Sequence, residues 1–520
     1  MNKLSFLGII VFGCALGWSA DYLRDGPDIG NSGWVRNEKV FNTTNVKNMK
    51  LLWKIRLDST PREMHNLFTP LVAENVATSG GAKEIALVSG ISDDLFAIDV
   101  ATGKQIWHKH FDSTFTQPSG SNGSTLCPGG QLATPVIGPG SQPGRYTVYA
   151  LAWDGRLRQV NLADGEDLAV PEKFMPPNAK PWGLNLDHGV IYTTVSQGCG
   201  GVTNAFFSFD LATRKASTFL PRGGGMWGRR GVAIGTDGTV YMGSGDAPYD
   251  PEKGEFGETF TAVRLDENQE LQRVGWFAPP NANWLYKRDL DINVAPLTFD
   301  YKGRHFLAGS SKECRVWMVD RDNFGGASHQ EMLDRSPLVC NEAVRVDARG
   351  VWGALAAWQD AAGQQWIGMP FIGPVNSDFH SPIEYGRPVN GAVAAMKVEE
   401  KNGKWQLTQA WMSHDMDQAD EAVYTNGVLF VDAAGEDTWQ LPYDIAYDET
   451  PLPPGGGSTK RIAGSRHATI YALDASNGKE LWSSGDQITS WTHGGGMSAV
   501  NGRAYIGTWD GYFYCFGIAK

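Results

Sequence analysis

The stretch Ala468-Thr-Ile-Tyr-Ala-Leu-Asp-Ala-Ser-Asn-Gly-Lys-Glu-Leu-Trp482 alternates apolar and polar residues and turns at Asn477-Gly478. Alternation with a period of two on both sides of an Asn-Gly pair predicts a β-hairpin. A second stretch, Asp94-Leu-Phe-Ala-Ile-Asp-Val-Ala-Thr-Gly-Lys-Gln-Ile-Trp107, repeats the order Ala, Asp, Gly and Trp at the same spacing. Two copies of a four-point pattern indicate an internal repeat.

Degenerate copies of the hairpin recur between these two stretches. They are Leu157–Asn161, Phe206–Asp210, Thr261–Asp266, Val316–Asp320 and Ala392–Lys397. Together with the two full stretches and the final unit Ala504–Ile518, they give about eight units of roughly 50 to 60 residues, which is the size of a four-stranded propeller blade. We therefore expect an all-β protein, an eight-bladed β-propeller of four-stranded antiparallel blades, with seven blades as the near alternative.

The two ends of the repeat complement each other. The final unit, Ala504–Ile518, has inner strands but no outer strand, whereas Leu51–Arg56 has the character of an outer strand and no blade before it. Joining them closes the ring and removes an open sheet edge, so we expect Trp53 to lie alongside Tyr512–Ile518. A Pro- and Gly-rich insertion at residues 442–457, inside the seventh unit, is expected to be a long loop.

Composition narrows the classes of partner and the compartment. The formal net charge of -12 argues against nucleic acid or an anionic membrane surface as partner. Lys3, the apolar run Leu4–Leu16 and the small residues after it are typical of a secretory signal, and no other apolar run is long enough to span a membrane. We expect residues 1–20 to be a signal peptide, residues 21–520 to form a single propeller domain, and the protein to be periplasmic or secreted.

Export permits disulfide bonds. Cys127 and Cys199 both lie in glycine-rich loops, and we expect them to pair with each other; Cys314 and Cys340 form the second expected pair. Cys515 lies in an aromatic run and is expected to be a buried free thiol. Neither CxxC nor CxxCH occurs, so the sequence supports neither a zinc ribbon nor a covalently bound c-type haem.

The pattern Ala-x-Asp-x-x-x-Gly-x-x-x-Trp resembles the tryptophan-docking motif of the quinoprotein dehydrogenases, which use pyrroloquinoline quinone (PQQ). The segment Asn42–Trp53 resembles the entry segment of the same family. The resemblance covers nearly all of the chain after the signal, and it implies a PQQ-binding-like, quinoprotein alcohol dehydrogenase-like β-propeller. It is less specific for catalysis, because related propellers bind no quinone.

Further resemblances imply a cofactor site. Gly224–Gly228 resembles the segment whose tryptophan stacks beneath the quinone, which assigns Trp227, and Asp246 stands where the family has a calcium-binding asparagine. Lys287–Asp291 resembles the segment that carries the catalytic aspartate, so Asp289 or Asp291 would take the substrate hydroxyl proton while hydride passes to the quinone. Asp291 is also an expected calcium ligand. The other implied cofactor contacts are Lys312, Asn376 and Trp491.

The chain departs from the family at two places. The family's adjacent Cys-Cys pair is absent, and Cys127 with Cys199 is the expected non-adjacent substitute beside the cofactor. No glutamate stands near Thr194–Cys199, where the family has a calcium ligand; Gln197 is neutral, and the loss of a carboxylate weakens calcium binding. His493 and His467 stand alone in the sequence, and we expect each to be a hydrogen-bonded loop residue rather than a ligand.

Two functions follow from these observations. The first is an exported quinoprotein oxidoreductase that oxidises an alcohol or sugar hydroxyl with PQQ and calcium and passes electrons to an external acceptor, since no haem domain is expected after the propeller. The alternative is a non-catalytic PQQ-like propeller that serves as a protein-interaction scaffold in the envelope. Convergence of Trp227, Asp246, Asp289 or Asp291, and Lys312 at one mouth of the central channel favours the enzyme, whereas their scatter over blade edges favours the scaffold.

Overall fold

A computed structural model describes residues 20–113, 126–439 and 458–518. Eight antiparallel sheets follow one another along the chain, and four strands form the basis of each. The expected eight-bladed β-propeller is confirmed, and the seven-bladed alternative is wrong. The predicted signal peptide, except for Ala20, and the whole predicted insertion loop at residues 442–457 lie outside the described residues.

The strands are numbered in chain order. The first of them, β1 (Met49–Arg56), belongs to the eighth blade. The first blade contains β2 (Leu71–Thr78), β3 (Gly81–Gly90), β4 (Asp94–Asp99) and β5 (Lys104–His110), and the second contains β6 (Val136–Pro139), β7 (Tyr146–Leu151), β8 (Arg156–Asn161) and β9 (Glu172–Lys173). The third blade contains β10 (Lys180–Pro181), β11 (Asn185–Asp187), β12 (Val190–Ser196), β13 (Phe206–Asp210) and β14 (Ala216–Phe219). In the third blade β10 and β11 both pair with β12, so they divide the position of a first strand between them.

The fourth to sixth blades carry small additions. The fourth blade contains β15 (Ala233–Ile234), β16 (Val240–Ser244), β19 (Thr259–Leu265) and β20 (Leu271–Phe277), and β17 (Tyr249–Asp250) and β18 (Glu255–Phe256) form a separate hairpin. The fifth blade contains β21 (Leu297–Tyr301), β22 (Arg304–Gly309), β23 (Trp317–Asp320) and β24 (Asp334–Arg335). The sixth blade contains β25 (Ala356–Gln359), β26 (Gln365–Ile372), β28 (Gly391–Lys401) and β29 (Lys404–Met412), and β27 (Ile383–Glu384) pairs with β29 in parallel.

The last two blades complete the ring. The seventh blade contains β30 (Ala419–Thr425), β31 (Val428–Ala433), β32 (Thr469–Asp474) and β33 (Glu480–Ser483). The eighth contains β34 (Met497–Val500), β35 (Arg503–Gly507), β36 (Tyr512–Ile518) and, from the start of the chain, β1. The described residues include two short α-helices, α1 (Ala282–Tyr286) and α2 (Ser458–Gly464), and 3₁₀ turns at Val46–Asn48, Cys199–Gly201, Val346–Ala348 and Gly485–Gln487. Neither α-helix has the length and apolar character to cross a bilayer.

The strand β1 closes the ring as predicted. It pairs antiparallel with β36 from Met49 opposite Ile518 to Arg56 opposite Tyr512, and Trp53 lies opposite Cys515. The eighth blade therefore takes its outer strand from the beginning of the propeller and its other three strands from the end. No blade is left with the open edge that an unclosed ring would present.

The repeated Gly and Trp hold neighbouring blades together. The indole of Trp107 in the first blade donates from Nε1 to the carbonyl oxygen of Leu162 at 2.8 Å and lies against Gly165 in the second blade. A Cβ on Gly165, whose φ is +77°, would lie 2.9 Å from that ring, so a side chain does not fit there. The same docking is made by Trp53 on Gly103 and by Trp411 on Gly478. The motif is therefore a contact between blades.

The first strands of the blades surround the central axis. Contacts join β15 to β21, β21 to β25, β25 to β30, β30 to β34 and β34 to β2, which are first strands of consecutive blades. Because the first two strands of a blade are antiparallel, the start of the first strand and the end of the second lie at the same end of the sheet. Loops at these two positions from every blade therefore gather at one face of the ring.

Both expected disulfides are present. Cys127 pairs with Cys199, and Cys314 pairs with Cys340. Cys515 is free and buried, as predicted, and burial raises the pKa of its thiol well above its ordinary value. The first disulfide joins the loop before the second blade to the loop after β12, and both of these loops lie at the gathered face.

Candidate active site

A cavity of about 290 Å³ opens among the gathered loops. The structure brings five of the predicted site residues to its wall: Trp227, Asp246, Asp289, Asp291 and Lys312. These residues come from the loop before β15, the loop after β16, the segment between α1 and β21, and the loop after β22. They reach one space because each occupies the position before a first strand or after a second strand.

Lys312 links two of the aspartates. Its Nζ lies 2.8 Å from Oδ1 of Asp289 and 2.8 Å from Oδ2 of Asp291. Its backbone N–H donates to the carbonyl oxygen of Asp291 at 3.1 Å, so main chain and side chain both tie the two loops together. The ammonium also lies 5.4 Å from the ring centroid of Trp352, within the range of a cation–π contact.

Asp246 adds a third carboxylate to this group. Its backbone N–H donates to Oδ1 of Asp291 at 3.2 Å, and carboxylate oxygens of Asp246, Asp289 and Asp291 all lie within 4.8 Å of one another. Both Asp246 and Asp289 have left-handed backbone conformations, with φ of +61° and +54°. Such conformations cost free energy in a non-glycine residue and are held by the surrounding structure. The loops thus keep three carboxylates close together despite their mutual repulsion.

Glu258 is a fourth acidic group, which the sequence interpretation missed. Its Oε1 accepts the backbone N–H of Asp246 at 3.0 Å, and its Oε2 accepts the backbone N–H of Ile292 at 2.9 Å. Glu258 is fully buried behind the cavity wall and immediately precedes β19. A glutamate at the start of a buried apolar strand was the available signal. It fixes the loop of Asp246 against the segment of Asp291, and burial raises its pKa well above the ordinary value.

The charges of the group divide the aspartates into two kinds. Burial raises the pKa of Asp291, but Lys312 and the neighbouring hydrogen bonds outweigh burial and bring that pKa to about 2. Burial and the negative charge of Asp291 raise the pKa of Asp289 well above its ordinary value, against the charge of Lys312. Desolvation and Asp291 raise the pKa of Asp246 to about 7. Asp291 therefore keeps its negative charge near neutral pH, whereas the pKa values of Asp246 and Asp289 are raised.

Trp227 presents an indole to the same cavity. It is 8% exposed, and its ring packs on Gly225 and Gly245, which pair with each other through two 2.9 Å backbone hydrogen bonds. A Cβ on Gly225 would lie 2.3 Å from the indole, and one on Gly245 would lie 2.9 Å from it. Glycine is therefore required at both positions, because a side chain at either one would occupy the space of the indole.

Of the remaining predicted cofactor contacts, the disulfide lies near the cavity and the other two do not line it. Leu126 and Gln197, which flank the Cys127–Cys199 disulfide closely in sequence, line the cavity, so the disulfide lies near its rim. Asn376 and Trp491 are absent from the described cavity wall. Asn376 caps its own turn by accepting the backbone N–H of Asp378, and Trp491 stacks on the ring of Trp509 at 5.2 Å.

A second group of charged residues lines the other part of the cavity. Arg229 pairs with Asp420, and Arg461 pairs with Glu436. His493 donates or accepts through Nδ1 at 2.7 Å from Oε2 of Glu436. The predicted hydrogen bond of this loop histidine is therefore present, and its ring also packs edge to face on His65 at 4.4 Å. His65 precedes the first blade, and ring closure brings it to the eighth.

Lys180 also lines this part of the cavity. It is 6% exposed, and its Nζ lies 5.4 Å from the ring centroid of Trp182. Burial and the charge of Arg461 lower the pKa of Lys180 to about 7. Burial likewise lowers the pKa values of His65 and His493 well below the ordinary histidine value. This part of the wall therefore has neutral imidazoles beside cationic side chains.

Comparisons with known proteins agree with the fold. No protein-family model matches the chain. The quinohemoprotein alcohol dehydrogenase of Comamonas testosteroni is 22% identical, over 96% of this chain and 74% of that protein. Its crystal structure superposes with a TM-score of 0.60 at 14% identity, covering 96% of this chain and 80% of that one.

Two other solved structures are similar. The quinohemoprotein alcohol dehydrogenase ADHIIG of Pseudomonas putida HK5 has a TM-score of 0.58 at 13% identity and covers 96% of this chain and 81% of that one. A europium-containing methanol dehydrogenase has a TM-score of 0.57 at 12% identity and covers 96% of this chain and 98% of that one. Similarity along nearly the whole length supports the resemblance seen in the repeat: the chain has the fold of these proteins, and it is similar to quinohemoprotein and quinoprotein alcohol dehydrogenases and to a methanol dehydrogenase.

Proposed function

We propose that the protein is a PQQ-dependent oxidoreductase that oxidises an alcohol or sugar hydroxyl in the cavity bounded by Trp227 and Lys312. The observation that carries the proposal is the convergence of Trp227, Asp246, Asp289, Asp291 and Lys312 on one wall. That arrangement combines a flat aromatic surface, a paired ammonium and a cluster of carboxylates. The alternative of a non-catalytic scaffold has no use for such a cluster inside a cavity, and the comparisons offer it no support.

The residues present fit both groups that the activity requires. The indole of Trp227 lies on the glycine bridge and offers a flat apolar surface for a planar ring system. Three carboxylates within 4.8 Å, with left-handed backbone conformations at two of them, are the donor set of a hard cation. We propose Asp246 and Asp291 as ligands of Ca²⁺. Because one of the similar structures is a methanol dehydrogenase that contains europium, a trivalent ion is the second cation to test.

The chain's own residues divide the chemical work. The quinone, when bound, supplies the hydride acceptor, and the cation polarises it. Asp289 takes the proton of the substrate hydroxyl, because its raised pKa makes it a stronger base than Asp291 and its side chain is 26% exposed against 2% for Asp291. Asp291 keeps its negative charge and holds the ammonium of Lys312. Lys312 in turn orients Asp289 through the 2.8 Å contact.

Export belongs to the same proposal. We propose that residues 1–20 are a signal peptide, that residues 21–520 form one domain, and that the protein works in the periplasm or outside the cell. Two disulfides support an oxidising compartment. Electrons then pass to an external acceptor.

A binding titration tests the proposal directly. Purified protein with Ca²⁺ is titrated with PQQ by calorimetry, and then assayed for oxidation of primary alcohols and aldose sugars with an artificial electron acceptor. We expect a 1:1 complex with micromolar affinity or better, and reduction of the acceptor. Trp227→Ala should weaken PQQ binding, while Trp405→Ala, on the outer strand β29, provides a matched control whose fold is checked by circular dichroism. Absence of binding with either Ca²⁺ or Eu³⁺ would refute the proposal.

A further inference from the structure

The positively charged side chains that line the cavity differ in whether a carboxylate pairs with them. Lys312 pairs with Asp289 and Asp291, Arg229 pairs with Asp420, and Arg461 pairs with Glu436. Among the described residues, Lys180 has no carboxylate within salt-bridge distance, and its side chain makes only the contact with the ring of Trp182. Lys180 is thus a buried ammonium whose charge the protein itself leaves uncompensated.

A buried charge without a partner raises the free energy of the folded protein unless a ligand of opposite charge binds to it. Desolvation of an ammonium costs several kcal/mol in a real protein, and the charge is usually paired when it is buried. Lys180 is more than nine-tenths buried, yet it borders the cavity rather than the solvent. It lies on β10, beside Trp182, whose Nε1 donates to Oγ of Ser196 at 3.0 Å. The position of the ammonium is therefore fixed by a strand and by a ring that is itself held in place.

The surroundings select the kind of anion. Asp420 and Glu436 already neutralise the two arginines near Lys180, so a single positive charge is left for a ligand in this part of the cavity. The three aspartates that line the same cavity disfavour a ligand that carries a concentrated double charge, such as a phosphate monoester. One unpaired ammonium beside an aromatic ring matches a single carboxylate of a small organic ligand.

We propose that Lys180 anchors a carboxylate subsite, which places one end of a bound molecule opposite the aspartate cluster of Asp246, Asp289 and Asp291. The inference rests on the proposed function, since it concerns the same cavity. Two molecules could supply the carboxylate: the cofactor PQQ, which carries three, or a substrate that carries both a hydroxyl and a carboxylate. In the second case the enzyme prefers hydroxycarboxylic acids over plain alcohols of equal size.

The test compares wild type with Lys180→Met, which keeps the length of the side chain and removes the charge, and with Lys180→Arg, which keeps the charge. PQQ binding and glycolate binding are measured separately by calorimetry, with ethylene glycol as the uncharged counterpart of glycolate. Loss of a charge-assisted hydrogen bond should weaken binding by about 10- to 100-fold in Lys180→Met, with recovery in Lys180→Arg. Lys173→Met, at an exposed site on β9, is the control and should change neither affinity.

The possible results distinguish the cofactor from the substrate as the source of the carboxylate. They also distinguish failure of the subsite from failure of the proposed function. Weaker PQQ binding in Lys180→Met assigns the subsite to the cofactor. Weaker glycolate binding, with ethylene glycol unaffected, assigns it to the substrate. If wild type binds no PQQ, the proposed function fails, and the glycolate titration still decides the subsite. Equal affinity of wild type and Lys180→Met for both carboxylates, or binding of neither, overturns the subsite.

Discussion

The carboxylate of Glu421 accepts two hydrogen bonds from the guanidinium of Arg230, at 2.9 Å from Nε and 2.7 Å from Nη2, and both residues are almost fully buried. The other N–H groups of Arg230 donate to the carbonyl oxygens of Asn31, Leu355 and Ala422 at 2.8 to 3.1 Å. Every donor of this arginine is therefore used. The pair joins the loop before the fourth blade to the seventh blade across the ring.

Replacement of Glu421 by Gln should destabilise the fold strongly. The change leaves the guanidinium buried without its counter-charge, and breaking a buried pair in this way costs about 3–5 kcal/mol. Urea unfolding should show a lower free energy of unfolding for Glu421→Gln. Asp250→Asn, which removes an exposed partner of Lys253, should leave that free energy unchanged. A loss in Glu421→Gln no larger than in Asp250→Asn would contradict the prediction.

The docking of tryptophan on glycine allows a second test of stability. Gly103 and Gly303 have nearly the same backbone, with φ of +68° and +72°, but a Cβ would lie 2.6 Å from the indole of Trp53 at Gly103 and would meet nothing within 4 Å at Gly303. Gly103→Ala should therefore lower the melting temperature more than Gly303→Ala. The difference between the two variants measures the contact with Trp53, because the cost of the left-handed backbone is common to both. Equal shifts would show that the docking contact contributes nothing.

Removal of the proposed base should abolish turnover and leave binding intact. Asp289→Asn keeps the size of the side chain but cannot accept the hydroxyl proton, so kcat should fall by about 10²- to 10⁴-fold. Calorimetry should show that the variant still binds PQQ. Asp266→Asn, at an exposed turn, keeps wild-type kcat as the control. A full kcat in Asp289→Asn would move the base to another residue.

The charge of Lys180 should make stability depend on pH above neutrality. Burial lowers the pKa of Lys180 from 10.5 to about 7, so between these values the unfolded chain binds a proton that the folded chain does not. Stability therefore rises as pH increases from 7 towards 10.5 and is lost as pH falls again. Relative to Lys180→Met, wild type should gain up to about 1.4 kcal/mol per pH unit in this window. Urea unfolding of both proteins at pH 7, 8 and 9 measures the difference, and parallel pH profiles would contradict the prediction.

The fold was predictable because its repeat is local. Each unit carries its own turn glycine and docking tryptophan, and the outer-strand pattern of Trp53 without a preceding blade already indicated ring closure. The segments of Asp289 and Lys312 were recognisable for the same reason, since each is a short stretch at the edge of a blade.

Other parts of the site depend on contacts that no local pattern contains. Glu258 is recognisable as part of the acidic group only once the hairpin of β17 and β18 has folded and returned the chain to Asp246. The partner of His493 is His65, which ring closure alone brings near. The local sequence does not distinguish Lys180 from an exposed lysine, because its burial results from the loops of several blades.

The register of β1 on β36 also determines how the ring responds to tension. Met49 and Ile518 are paired with each other, so the residues where the chain enters and leaves this ladder lie at the same end of it. A force that separates these two residues acts on one hydrogen-bonded pair at a time, beginning with Met49 and Ile518, instead of loading the whole ladder at once. Under such a force the ring therefore opens within its eighth blade, where β1 separates from β36 one residue pair after another.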